Sequence, residues 1–185
     1  MNAPSSDYRA VLDFWFRETT PQQWFARSDA FDGIIRQRFF AVWQRAAQGE
    51  LADWRDNMQG RLAEIIVLDQ FSRNLFRNDA RAFAQDGMAL VLAQHAVALP
   101  DFIMRLDETE RQFALMPLMH SESAAIHRQA DELFRRFAPP TSHEFELKHK
   151  KIIDRFGRYP HRNAVLGRES TAEETAFLRE EGSSF

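Results

Sequence analysis

Apolar residues in this chain recur at intervals of three and four, and no run shows convincing alternation. Between Asp29 and Gln48 they are Phe31, Ile34, Ile35, Phe39, Val42, Trp43 and Ala46, with Gly49 placed to close the segment. That spacing predicts an amphipathic helix. Further helices are expected over about 7–18, 59–76, 82–98, 109–137, 142–156 and 172–181. Thr20-Pro21-Gln22-Gln23 and Thr171-Ala172-Glu173-Glu174 carry capping-box spacing, and Pro21 suits a first helical position. Pro117 is expected to divide the 109–137 stretch into a short helix and a longer one starting near it. No hairpin dipeptide occurs, and the polar gaps near 50–58, 76–81 and 139–142 are short. The expectation is an all-α protein of seven or eight helices, a bundle of antiparallel helical hairpins forming one domain over 1–185.

With 185 residues, 17 of them Phe and four Trp, the chain can bury a sizeable core. It has no cysteine, which excludes disulfides, thiolate nucleophiles and Cys-based metal sites and is compatible with a cytoplasmic location. MNAPSSDYRA lacks the basic and apolar regions of a signal peptide, and no apolar run approaches membrane-spanning length. The net charge of −3 argues against nucleic acid or an anionic membrane as partner. The charge is uneven, however. From His143 to Arg168 seven Lys and Arg face three acids, a local excess of four positive charges.

Chemistry concentrates where polar residues interrupt apolar stripes. Around the 62–76 helix, Asp69 and Arg73 share the arc of Leu62, Ile65, Ile66 and Phe76, while Val67, Leu68, Phe71 and Leu75 line the other side. Both faces should be covered, with Asp69 and Arg73 buried or on the floor of a cleft. Glu122 interrupts Leu115, Met119, Ile126, Ala130, Leu133 and Phe137. His149 interrupts Phe145, Ile152 and Phe156. Buried charges are costly alone, so these groups are expected to meet one another. A desolvated Glu122 would have a raised pKa, suiting a general acid or base. RFGRYPHRN (155–163) follows His149 closely. If it folds back, it brings Arg155, Arg158, His161, Arg162 and Asn163 towards Glu122 and Asp69.

Other chemistries lack their patterns. His120-x-Glu122 is poor metal-ligand spacing on a helix and no HExxH occurs, so neither a metal nor another cofactor is expected. Ser121 has no nucleophile-elbow context, and no phosphate-binding or dinucleotide-binding glycine pattern is found. His95, His127 and His143 read as surface residues. The aromatic residues of VLDFWF (11–16) and Trp24-Phe25 read as core.

VLDFWF, LDQFSRNLFR (68–77), PLMHSE (117–122) and RFGRYPHRN followed by LGRESTAEE (155–174) together resemble an uncharacterised bacterial family, a domain of unknown function. The resemblance covers nearly the whole chain and implies an all-helical, tetratricopeptide-like fold, but no activity. The motifs map onto Asp69, Gln70, Arg73, Asn74, His120, Ser121, Glu122, Arg155, Gly157, Arg158, His161, Arg162 and Asn163.

Two readings follow. In the first, a polar pocket binds a small anionic metabolite, with acid–base conversion of it as the accompanying chemistry. Glu122, His149 and Asp69 would handle protons, while Arg73, Asn74, His120, Arg155, Arg158, His161, Arg162 and Asn163 would hold the ligand. In the second, the polar network only fixes helix register, and an apolar groove binds a protein partner.

Overall fold

The computed structural model describes residues 8–183. Residues 1–7 and 184–185, and with them most of the stretch read for a leader and the ends of the 1–185 domain, lie outside that range. The regular secondary structure of the described residues is all helical, with no strand. α1 (Tyr8–Asp13) runs on through a π turn, Phe14–Glu18. α2 (Pro21–Phe25) starts at the expected Thr20 capping box, and α3 spans Asp29–Ala47. α4 begins as Met58–Ile66, widens into a second π turn at Val67–Phe71 and resumes over Ser72–Leu75. Then come α5 (Asp86–Val97), α6 (Asp101–Arg105), α7 (Glu108–Met119), α8 (Ala124–Phe137), α9 (Pro140–Phe156) and α10 (Ala172–Phe177).

α4 is the axis of the fold. Every residue from Leu62 to Ser72 is buried, because α1, α3, α5, α6 and α7 all pack on it. The core grows from that contact. Phe14 and Trp15 of the first π turn meet Phe71 of the second, with Phe31, Phe39 and Phe113 around them. The Trp15 carbonyl is not lost to this geometry: Trp24 Nε1 donates to it at 2.8 Å. Trp24 thus packs as expected. Phe25 does not, being 62% exposed at the end of a helix too short to turn both rings inward.

Pro117 does not divide the fifth stretch. It lies inside α7, whose residues Phe113–Met119 are all buried. A proline near a helix end forfeits one hydrogen bond, here to the Phe113 carbonyl, and the ladder resumes when His120 N donates to the Met116 carbonyl at 3.0 Å. The chain turns at His120–Ser123 instead, so Glu122 belongs to a turn and not to a continuous stripe. α7 packs on α8 and α8 on α9, through short turns. Gly157, with φ of 69°, ends α9 in the left-handed conformation, and Pro160 prevents its resumption. The following segment folds back and adds a small apolar cluster of Ile152, Ile153 and Tyr159.

Gly60 and Gly33 test this account in opposite directions. A Cβ on Gly60 would run into the backbone of Trp54, where the turn before α4 lies against the helix. Gly33, inside α3, has nothing within 4 Å of a Cβ. Urea unfolding should show Gly60→Ala losing about 3 kcal/mol or more, whereas Gly33→Ala gains about 0.5–1 kcal/mol.

Candidate functional site

Asp69 stands in the π turn of α4 with its side chain 1% exposed. It is surrounded by donors. His120 Nδ1 lies 2.7 Å from Oδ1, Gln70 Nε2 donates to Oδ2 at 2.6 Å, and an Arg73 nitrogen is 3.2 Å from Oδ1. Burial opposes ionisation, but the Arg73 charge and the His120 and Gln70 contacts outweigh it and hold the carboxyl below its ordinary range. For His120 the balance reverses: burial, then the Arg73 charge, exceed the pull of Asp69 and lower the imidazole below its usual value. The pair is therefore a carboxylate and a neutral imidazole. An ionised Asp69 only accepts, so Nδ1 carries the proton and Nε2 presents its lone pair. Nε2 makes no hydrogen bond to the described residues.

A second layer fixes the first. Arg73 makes a two-pronged contact with Asp86 at 3.0 and 3.1 Å, and Arg162 donates to the same carboxylate at 3.0 Å. The Arg162 guanidinium lies between the rings of Phe83 and Tyr159, 4.5 and 4.6 Å from their centroids. Glu122 takes a bidentate contact from Arg168 at 2.7 and 2.9 Å and accepts from Tyr159 N at 2.7 Å. Three carboxylates thus face three guanidiniums.

The turn carrying His120 is held with unusual completeness. Helix C-termini leave carbonyls without intrahelical partners. Here three in succession are satisfied by side chains. Tyr159 donates its hydroxyl to the Met119 carbonyl, Arg162 donates to that of His120 at 3.0 Å, and His127 Nε2 donates to that of Ser121 at 2.9 Å. A cleft of about 300 Å³ opens beside this turn. Phe83, Asp86, Gly87, Leu90, His120, Ser121, Glu122, Arg162 and Leu166 are among its lining residues.

Of the residues singled out in the sequence, Asp69, Arg73, His120, Glu122 and Arg162 come together. His149 is buried nearby, its ring 6.4 Å from that of His120 and 5.7 Å from that of Tyr159, with Nδ1 against the Phe145 carbonyl. It is His120, and not His149, that meets Asp69. His161 packs beside Tyr159, the ring centroids 5.5 Å apart. Arg155 and Arg158 are not at the rim, because Glu173 and Glu174 of α10 draw them away at 2.8 and 2.7 Å. Asn163 joins that outer group through Arg168, Ser170 and Glu174, and Asn74 faces Asp32. Glu122 departs from expectation in charge: burial would raise it, but Arg168 and the Tyr159 N–H lower it.

His127 is not on the surface. It is fully buried between Glu146, 2.7 Å from Nδ1, and Ser121. Its neighbours on α8 are polar, which hid the fact that α9 covers this face. Sequence reasoning also missed Asp86, an ordinary first-turn acid by pattern, together with Phe83 and Glu146. Nothing local marks Asp86 as the partner of an arginine 13 residues earlier. Glu64, equally buried, is matched two-pronged by Arg55 at 2.7 and 2.6 Å on the far part of α4.

The fold and cleft define an all-helical protein with a paired charge network beneath a small opening. The chain belongs to the family of bacterial proteins of unknown function DUF924, which matches residues 11–182. A solved structure, the protein of unknown function ATU0120 from Agrobacterium tumefaciens, is 34% identical, covers 93% of this chain and 96% of its own, and superposes with a TM-score of 0.87. No curated protein matches. Among the described residues, no helix is long and apolar enough to cross a membrane, and no group of three or more His, Asp or Glu is arranged to hold a metal.

The buried histidines set the acid response. Burial pushes His149 down to about 3, and burial with the Arg162 charge pushes His161 down to about 4. Both then bind fewer protons in the folded than in the unfolded chain. Their contribution to stability is complete above about pH 6.5 and declines as pH falls towards the folded values. Urea unfolding should weaken between pH 7 and 5 by up to about 1.4 kcal/mol per pH unit for each histidine. His149→Phe should flatten the slope. A stability independent of pH over this range would contradict buried neutral imidazoles.

Proposed function

We propose that the cleft binds a small metabolite and that His120, oriented by Asp69 and kept neutral by burial and the Arg73 charge, exchanges a proton with it. One observation carries this reading: His120 lines the cleft with Nδ1 committed to Asp69, while its Nε2 has no hydrogen-bond partner among the described residues. A neutral imidazole whose other nitrogen is anchored by a carboxylate is a general base in a defined tautomer. The cleft volume lies at the lower end of ligand sites, about 300–1,000 Å³, which suits a small molecule. Arg73 and Asp86 act by fixing Asp69. The anion expected from the sequence has lost part of its support, since Arg155 and Arg158 point elsewhere. The unbroken family match from 11 to 182 supports treating the chain as one domain.

A second reading, a tetratricopeptide-like module for a protein partner, draws on different features. Consecutive helices α7 to α9 stack through short turns, the charges are mutually paired, and Ile103 and Met104 on α6 are 54% and 67% exposed.

Thermal unfolding across a panel of neutral, carboxylated and phosphorylated metabolites separates the two. The comparison is wild type against His120→Gln and against Ala84→Trp, which fills the cleft from an exposed position on its wall. A ligand at 100 times its Kd should raise the wild-type Tm by about 5–10 °C and leave both variants unmoved. A shift that persists in Ala84→Trp would locate the ligand elsewhere. No shift across the panel would contradict the cleft reading and favour the partner module.

A further inference from the structure

We infer that the cleft selects a neutral, hydroxyl-bearing ligand over an anion. This rests on the proposed small-molecule site and adds the class of its ligand.

Each lining group still offers a countable set of hydrogen-bond positions. Asp86 accepts two bonds from Arg73 and one from Arg162, so one of the roughly four lone-pair positions of a carboxylate stays open. Glu122 accepts two from Arg168 and one from Tyr159 N, and likewise keeps one. His120 Nε2 is an open acceptor, and the Ser121 hydroxyl, with no hydrogen bond to the described residues, can donate or accept. On the donor side stands Arg162. It is already committed to Asp86 and to the His120 carbonyl, its side chain is 7% exposed, and its unpartnered Nε is sealed from solvent. Among the charged residues that line the cleft the carboxylates are the more accessible, Asp86 at 18% and Glu122 at 25% against 7% for Arg162, while Arg73 and Arg168 are each held two-pronged by those carboxylates. An incoming anion would meet these carboxylates before any free cation. The N-terminus of α5, where an anion would otherwise settle, already has Asp86 in its first turn.

Full charge gives no reason for an ammonium ligand either. Asp69, Asp86 and Glu122 are balanced by Arg73, Arg162 and Arg168. What remains is acceptor capacity at three points, its charge already balanced, around one serine hydroxyl, beside the apolar surfaces of Phe83, Leu90 and Leu166. Adjacent hydroxyl groups on a short carbon skeleton complement that arrangement. Each donates to a carboxylate or to His120 Nε2.

The test uses the intact protein and probes related by skeleton: ribitol and glucose as neutral polyols, glucosamine as the cation, and gluconate and glucose 6-phosphate as anions. Amide chemical shifts of residues 86–87 and 120–122 report occupancy. Ribitol or glucose should move these amides saturably, with gluconate and glucose 6-phosphate about ten-fold weaker or worse. Ser121→Ala should weaken the neutral probe by about three- to ten-fold without altering the unliganded spectrum elsewhere. Tighter saturation by either anion, or by glucosamine, would overturn the inference while leaving the small-molecule site standing. If neither polyol perturbs these amides, the inference fails, whereas the site itself is judged by the Ala84→Trp comparison.

Discussion

Asp69 is ionised inside the protein, and much of the surrounding architecture follows from keeping it so. Moving a lone carboxylate from water to a protein interior costs several kcal/mol. Hydrogen bonds to a charged group return about 1.5–3 kcal/mol each, so the contacts from His120, Gln70 and Arg73 suffice to offset that cost only together. Each donor comes from a different place. Gln70 is the next residue in the π turn, Arg73 lies one turn on, and His120 comes from the end of α7. A π turn places consecutive polar side chains, Asp69 and Gln70, in the interior of a helix covered on all sides, and such turns recur at functional sites.

The demand then propagates outward. Arg73 is itself buried enough to need Asp86, and Asp86 draws in Arg162 from the returning C-terminal segment. Arg162 and Tyr159 of that segment cap the turn that presents His120, and His127, anchored by Glu146 of α9, caps the next carbonyl. The imidazole is therefore positioned by α4 through its own ring and by the returning segment and α8 through its backbone. Breaking a buried pair of this kind leaves an uncompensated charge and costs about 3–5 kcal/mol. Stability and site geometry are coupled through the same few residues.

The fold was legible because helical spacing and caps are local signals. The Thr20 and Thr171 capping boxes, Gly157 and the 29–48 periodicity all correspond to observed boundaries. Pro117 misled, since a proline near a helix end weakens one bond without ending the helix where apolar packing continues. Burial of Asp69 and His149 could be read from their apolar neighbours. Pairing could not. Asp69 and His120 are 51 residues apart and Arg162 and Asp86 76 apart, and nothing in a single sequence reports which charge meets which. For the same reason the cationic stretch from His143 to Arg168 looked like an anion cradle. Its arginines are spent on Glu173, Glu174, Asp86 and Glu122. His127 was missed because exposure was judged from its own helix, whereas α9 supplies the cover.

His120 is a neutral base in one tautomer, the tautomer set by Asp69 and the neutrality by burial and the Arg73 charge. Nitrogen chemical shifts of the His120 imidazole, followed from pH 8 to pH 5 in the unliganded protein, measure this directly. The account predicts a protonated Nδ1 and a bare Nε2 at pH 7, with protonation of Nε2 displaced below the pH at which an ordinary imidazole titrates. An imidazolium at pH 7, or a proton resting on Nε2 with Nδ1 bare, would contradict it.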